Sequence, residues 1–185
     1  MFFKKVIVFI FISLLTIPTG FSKVNPDQNI DQEPFQEKST EPIDFNDADS
    51  ELEALFSVRG EQIIEKAKKY IGRPYRRGSM GPKSFDCSGF TSYVYKSMNI
   101  RLNRTSQDQY RQGISVSKNE VAVGDLVFFS SPRSGRGVGH VGIVSSVEDD
   151  GSFKFIHAAC HSGVTISSIN EKYYAAKYRG AKRIL

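Results

Sequence analysis

Asp86-Cys87-Ser88-Gly89 opens the run Phe90-Thr91-Ser92-Tyr93-Val94-Tyr95-Lys96-Ser97-Met98. Phe90, Val94 and Met98 recur at helical spacing, with Tyr93 beside them, so the spacing predicts a helix that begins at Cys87. In a first helical turn the backbone N–H groups lack partners, and the helix dipole is positive there. A thiol at that point is expected to be pushed toward thiolate, the nucleophilic form.

Upstream, Ile63, Ile64, Ala67, Tyr70 and Ile71 form an amphipathic helical pattern that Gly72 and Pro74 close. A further short helix is predicted near Ser106, where Ser106-x-x-Gln109 has the form of a capping box and Gly113 can end it. The second half changes period. Leu126–Phe129, His140–Val147, Phe153–Ala158, Val164–Ile166 and Lys177–Ile184 read as short strands, with Gly124-Asp125 and Asp149-Asp150-Gly151 as turns. Helices followed by a meander predict an α+β fold with an antiparallel sheet of about five to six strands.

Three segments differ in charge. Met1 to Ser22 carries Lys4 and Lys5, an apolar core from Val6 to Ile17, and the small-residue end Gly20-Phe21-Ser22. It reads as a signal peptide, which predicts an exported protein of the periplasm, cell envelope or medium. Its apolar run is shorter than a spanning helix needs, so no stable membrane insertion is expected after cleavage. Residues 23–60 hold ten Asp and Glu against three Lys and Arg, and read as an acidic flexible leader. Residues 61–185 hold twenty Lys and Arg against ten Asp and Glu. That surplus favours an anionic partner, and no basic run interleaved with stacking aromatics points to nucleic acid.

A cysteine nucleophile needs a base, and the base needs a group to orient it. The chain has three histidines, His140, His157 and His161, all downstream of Cys87. His140 opens one predicted strand. His157 shares a face with Phe153 and Phe155 on the next by period-two alternation. If those strands pair, His157 can hydrogen-bond His140 and hold its tautomer, as an aspartate does in a serine-protease triad. His161 falls in a loop and reads as solvated. Cys87 and Cys160 could pair as a disulfide in an exported chain, but a catalytic Cys87 must stay reduced. Cys160 then reads as a bystander or an oxidation liability. His157-x-x-Cys160-His161 with His140 is also a nitrogen and sulfur set of the kind zinc accepts, yet it lacks paired CxxC spacing and leaves Cys87 unexplained.

Gly72-Arg73-Pro74-Tyr75, Asp86-Cys87-Ser88-Gly89, Arg104-Thr105-Ser106-x-x-Gln109, Gly124-Asp125-Leu126-Val127-Phe128-Phe129, His140-Val141-Gly142-Ile143-Val144 and Ile156-His157-Ala158 follow one another in order. This series resembles the NlpC/P60 cysteine peptidases, over about residues 61–185. The resemblance implies a papain-like fold and a peptidoglycan hydrolase that needs no metal or cofactor. Its partners would be peptidoglycan stem peptides, cut between γ-linked D-glutamate and a diamino acid. It implies Cys87 as nucleophile, His140 as base and His157 as the third polar residue. Tyr75 would contact the oxyanion or substrate. Asp86 and Ser88 would recognise a free substrate amine, as they do in some members, although Asp86 could equally cap the helix and Ser88 be an ordinary first-turn serine. Another papain-like amidase or acyltransferase, or a wall-binding module, fits the same residues.

Overall fold

The computed structural model describes residues 45–184, with side chains from residue 50. The expected signal peptide, and the expected leader as far as residue 44, lie outside the described residues. The elements run α1 (Phe45–Lys68), α2 (Cys87–Lys96), α3 (Ser106–Gln109), β1 (Ile114–Val116), a short 3-10 turn (Lys118–Glu120), β2 (Leu126–Phe129), β3 (His140–Val147), β4 (Phe153–Ala159), β5 (Gly163–Ser168), α4 (Lys172–Lys177) and β6 (Tyr178–Arg183). Six strands make one antiparallel sheet in the order β1-β6-β2-β3-β4-β5. The fold is α+β, as the change of period predicts. Among the described residues no helix is long and apolar enough to cross a membrane.

Each face of the sheet carries its own apolar layer. One packs Leu126, Phe128, Val141, Ile143, Ile156 and Ala158 under α1 and α2. The other gathers Val127, Phe129, Val144, Phe153 and Phe155 against Tyr174 of α4. Strands covered on both sides read as continuous apolar runs, which is why Leu-Val-Phe-Phe of β2 is buried throughout.

Three local expectations are corrected. Helix α1 starts at Phe45, inside the stretch expected to be a flexible leader, and ends at Lys68 rather than Ile71. Glu51-Leu52-Glu53-Ala54-Leu55 are strong helix formers that extend a helix already anchored by buried Ile63, Ile64 and Ala67. Gly60 lets this helix dock closely, since a Cβ there would lie 2.2 Å from the Val123 carbonyl oxygen. At the other end Ile71 is exposed, in the turn before Gly72 at φ +84°.

The capping box of α3 sits one residue early. Thr105 is the N-cap, its hydroxyl accepting from the Asp108 N–H at 3.2 Å and donating to the Asp108 carboxylate at 2.6 Å. Gln109 is instead fully buried. It accepts from the Thr91 hydroxyl at 2.8 Å and donates to the carbonyls of Ser88 (3.1 Å) and Asn103 (2.8 Å). With a further bond to Ser92 Oγ at 3.0 Å, an amide serving four groups outweighs one exposed cap bond. Lastly, β1 is an edge strand with mostly exposed side chains, too short and too polar to show a period.

Candidate active site

Asp86 fixes the start of α2. Its Oδ1 accepts from the Gly89 N–H at 2.7 Å, the side-chain cap that a helix start requires. Gly89 leaves room for this cap, because a Cβ there would fall 2.2 Å from the Ser79 carbonyl oxygen and 2.9 Å from Asp86 Oδ1. The same carboxylate accepts from the Gly78 N–H at 2.9 Å and from Arg104, whose two terminal nitrogens lie 2.5 and 3.2 Å from its oxygens. Ser88 Oγ donates to Asp86 Oδ1 at 3.4 Å and accepts from Arg104 at 3.1 Å. Five donors thus surround a group with about four lone-pair sites. Arg104 carries no sequence signal for this role beyond its place in the Arg104-Thr105-Ser106 series. No local pattern links it to Asp86, eighteen positions away.

Cys87 sits at the first position of α2, partly accessible on the wall of a cleft of about 520 Å³. Tyr75, Asp86, Ser88 and Arg104 line the same cleft. The expected depression of the thiol pKa is overturned. Burial pushes Cys87 up to about 11, and the Asp86 carboxylate adds to it, while the N–H groups of Ser88 and Val141 pull the other way. Desolvation of a buried anion outweighs the helix start here. The resting sulfur is a neutral thiol beside the beginning of β3.

Strand β3 presents His140 beside that point, and β4 brings His157 to it. Ile143 pairs with Ile156, so His157 stands beside Gly142, two positions from His140 on the same face. A Cβ on Gly142 would lie 2.7 Å from the Phe155 ring and 3.1 Å from the Cβ of His157. The missing methyl opens the space through which the second ring reaches the first. His140 Nε2 and His157 Nδ1 are 2.9 Å apart. Beyond them, His157 Nε2 lies 3.2 Å from Ser167 Oγ and 3.4 Å from the Tyr174 hydroxyl.

This chain of bonds has two proton arrangements. In one, His140 Nε2–H donates to His157 Nδ1, and His157 Nε2–H donates to Ser167. Nδ1 of His140 is then an unprotonated base. In the other every proton moves over, and His140 Nδ1 carries hydrogen. Ser167 and Tyr174 escaped the sequence reading because a serine on an edge strand and a tyrosine in a short helix carry no distinguishing pattern.

Burial holds His140 down to about 4, and burial with its neighbour His140 holds His157 down to about 3. Both are neutral near pH 7. An unfolded histidine titrates near 6.5, so below that the unfolded chain binds more protons than the folded one, and stability falls as pH drops from about 6.5 toward 3. Thermal unfolding followed from pH 7 to pH 4 is expected to show a loss on the order of 3 kcal/mol for each of the two histidines. His157→Gln is expected to flatten that slope, and an equally steep slope in the variant would contradict it.

The remaining expected residues divide. Tyr75 borders the thiol cleft and lies against the Cys160 thiol. Burial and the neighbouring thiols hold its phenol well above the ordinary range, so it remains a hydroxyl donor. Cys160 is exposed, and both cysteines are free.

A model of the NlpC/P60 family matches residues 72–183. The chain is 37% identical over 125 residues to a murein DD-endopeptidase/murein LD-carboxypeptidase of Escherichia coli, a match covering 67% of this chain and 62% of that protein. It is 36% identical over 123 residues to a gamma-DL-glutamyl hydrolase of Bacillus subtilis, covering 65% of this chain and 28% of that one. A solved NlpC/P60 family protein from Bacillus cereus superposes with a TM-score of 0.61 at 34% identity, over 68% of this chain and 40% of that one. The chain thus spans less than two thirds of the length of these relatives.

Proposed function

Because this chain belongs to the NlpC/P60 family, we propose that it is an exported cell-wall hydrolase that cuts peptidoglycan stem peptides by a Cys–His–His thiol mechanism. The bond would be that between γ-linked D-glutamate and a diamino acid. Met1 to Ser22 would direct export, and the region from residue 61 onward would be the catalytic domain. Relatives named as a murein endopeptidase and a gamma-DL-glutamyl hydrolase support the substrate class. The observation that carries the mechanism is the 2.9 Å bond between His140 and His157 beside the strand start that borders the thiol.

In this reading His140 Nδ1 takes the Cys87 proton as sulfur attacks the scissile carbonyl. With the thiol held up at about 11 and His140 down at about 4, the resting pair is neutral. Proton transfer then accompanies attack rather than preceding it. The backbone N–H of Cys87, at a helix start, and the Tyr75 hydroxyl would stabilise the oxyanion. The tetrahedral adduct collapses to a thioester, and His140 returns its proton to the leaving amine. Water activated by the same nitrogen releases the acid and restores the thiol.

His157 would act as the positioning residue that keeps His140 Nδ1 free of hydrogen, with Ser167 as the acceptor that sets His157. Ser167→Ala is expected to lower kcat about three- to tenfold, the effect of one hydrogen bond, with KM nearly unchanged. Ser167→Thr should restore most of the rate. A KM effect without a kcat effect would contradict this role.

Mass analysis of wall peptides digested by the enzyme tests the whole reading. The expected products end in γ-D-glutamate and begin with the free diamino acid. Acyl transfer to an added amine without stem cleavage would replace hydrolysis by a transferase.

A further inference from the structure

Arg104 lines two hollows at once, the thiol cleft and a larger one of about 1040 Å³ that Lys96 and Arg101 also line. On the thiol side, Arg77 and Arg133 join it. Among the described residues Asp86 is the only carboxylate on either wall. Its accepting sites are taken by the Gly78 and Gly89 N–H groups, Ser88 and Arg104. Among the described residues Arg77, Arg133, Arg101 and Lys96 have no carboxylate partner.

The charge left for a ligand is therefore positive in both hollows. A substrate amine would have to displace Arg104 from Asp86 and then sit among cations. An oxyanion meets several guanidinium forks, whose planar donors match a carboxylate two at a time. One of the two hollows holds Cys87, so the anion belongs most simply to the chain being cut. A γ-linked glutamyl residue supplies it. The amide consumes its side-chain carboxyl, and its α-carboxylate stays free, two methylenes and one α-carbon from the scissile carbonyl.

We propose that Arg77, Arg133, Arg104, Arg101 and Lys96 form a substrate track that reads free α-carboxylates on γ-glutamyl peptides, in place of a free amine at Asp86. The proposal rests on the hydrolase reading for its substrate class, and adds to it a charge requirement and the residues that impose it.

Binding separates the two. Cys87→Ser protein is titrated with a fluorescent oligomer of γ-linked glutamate and with the same oligomer carrying α-carboxamides. The free acid is expected to bind roughly tenfold tighter at low salt, as a few partly exposed ion pairs allow. That gap is expected to collapse in Arg77→Gln/Arg133→Gln and at about 0.5 M salt, where exposed charges are screened. Lys154→Gln, which removes a cation elsewhere on the surface, should leave it unchanged. Equal affinity for both oligomers, no binding of either, or binding of a glycerol-phosphate oligomer while the γ-glutamyl one fails, would overturn the track. Stem cleavage by wild type without carboxylate preference would overturn the track and leave the hydrolase standing. Carboxylate-selective binding with no wall peptide ever cut would uphold the track and overturn the hydrolase.

Discussion

Cys87→Ala is expected to eliminate stem-peptide cleavage, lowering kcat/KM by roughly 10⁴-fold or more, as loss of a covalent nucleophile does. The fold should be almost indifferent. The side chain is small and partly accessible, the Asp86 cap bonds backbone rather than sulfur, and both cysteines are free. Thermal unfolding within a degree or two of wild type, beside absent turnover, is the expected pair of results. Retained cleavage would remove Cys87 from the mechanism. Alkylation offers a second reading of the same atom. With burial holding the thiol up at about 11, its reaction with iodoacetamide should climb through the alkaline range rather than plateau below pH 7.

His140→Ala is expected to be nearly as damaging, at roughly 10³-fold in kcat. Without the imidazole, a thiolate must come from the thiol's own ionisation. Residual activity should therefore rise steadily as pH approaches about 11. Wild type should behave oppositely at the acid end. Its base stays unprotonated down to about 4, so activity falls only as pH drops through that region. A variant with an unchanged pH profile would show that His140 is not the base. His157→Gln provides the contrast, since a glutamine oxygen can accept from His140 Nε2. Its kcat should fall far less than that of His140→Ala, with the acid limb displaced.

The legible parts of this fold were those governed by neighbours in the chain. The Phe90-Val94 spacing marks α2, Leu-Val-Phe-Phe marks β2, and alternation sets Phe153, Phe155 and His157 on one face of β4. Where the reading slipped, a distant group had decided. Gln109 left its capping position for buried partners on α2 and in the loop before α3. The first half of α1 became helical by continuing a helix whose second half is held by the core.

By itself, then, the sequence determined the class of fold, the placement of Cys87 at a helix start, and the candidacy of His140 and His157, because periods and caps act over a few residues. Only the tertiary structure decided what those groups are chemically. Burial returned the thiol to its neutral form and kept both imidazoles uncharged. Folding carried Arg104 to Asp86, closing that carboxylate to other donors, and brought Ser167 and Tyr174 to the far nitrogen of His157. Desolvation and long-range pairing depend on what surrounds a side chain in space, and no local pattern encodes that.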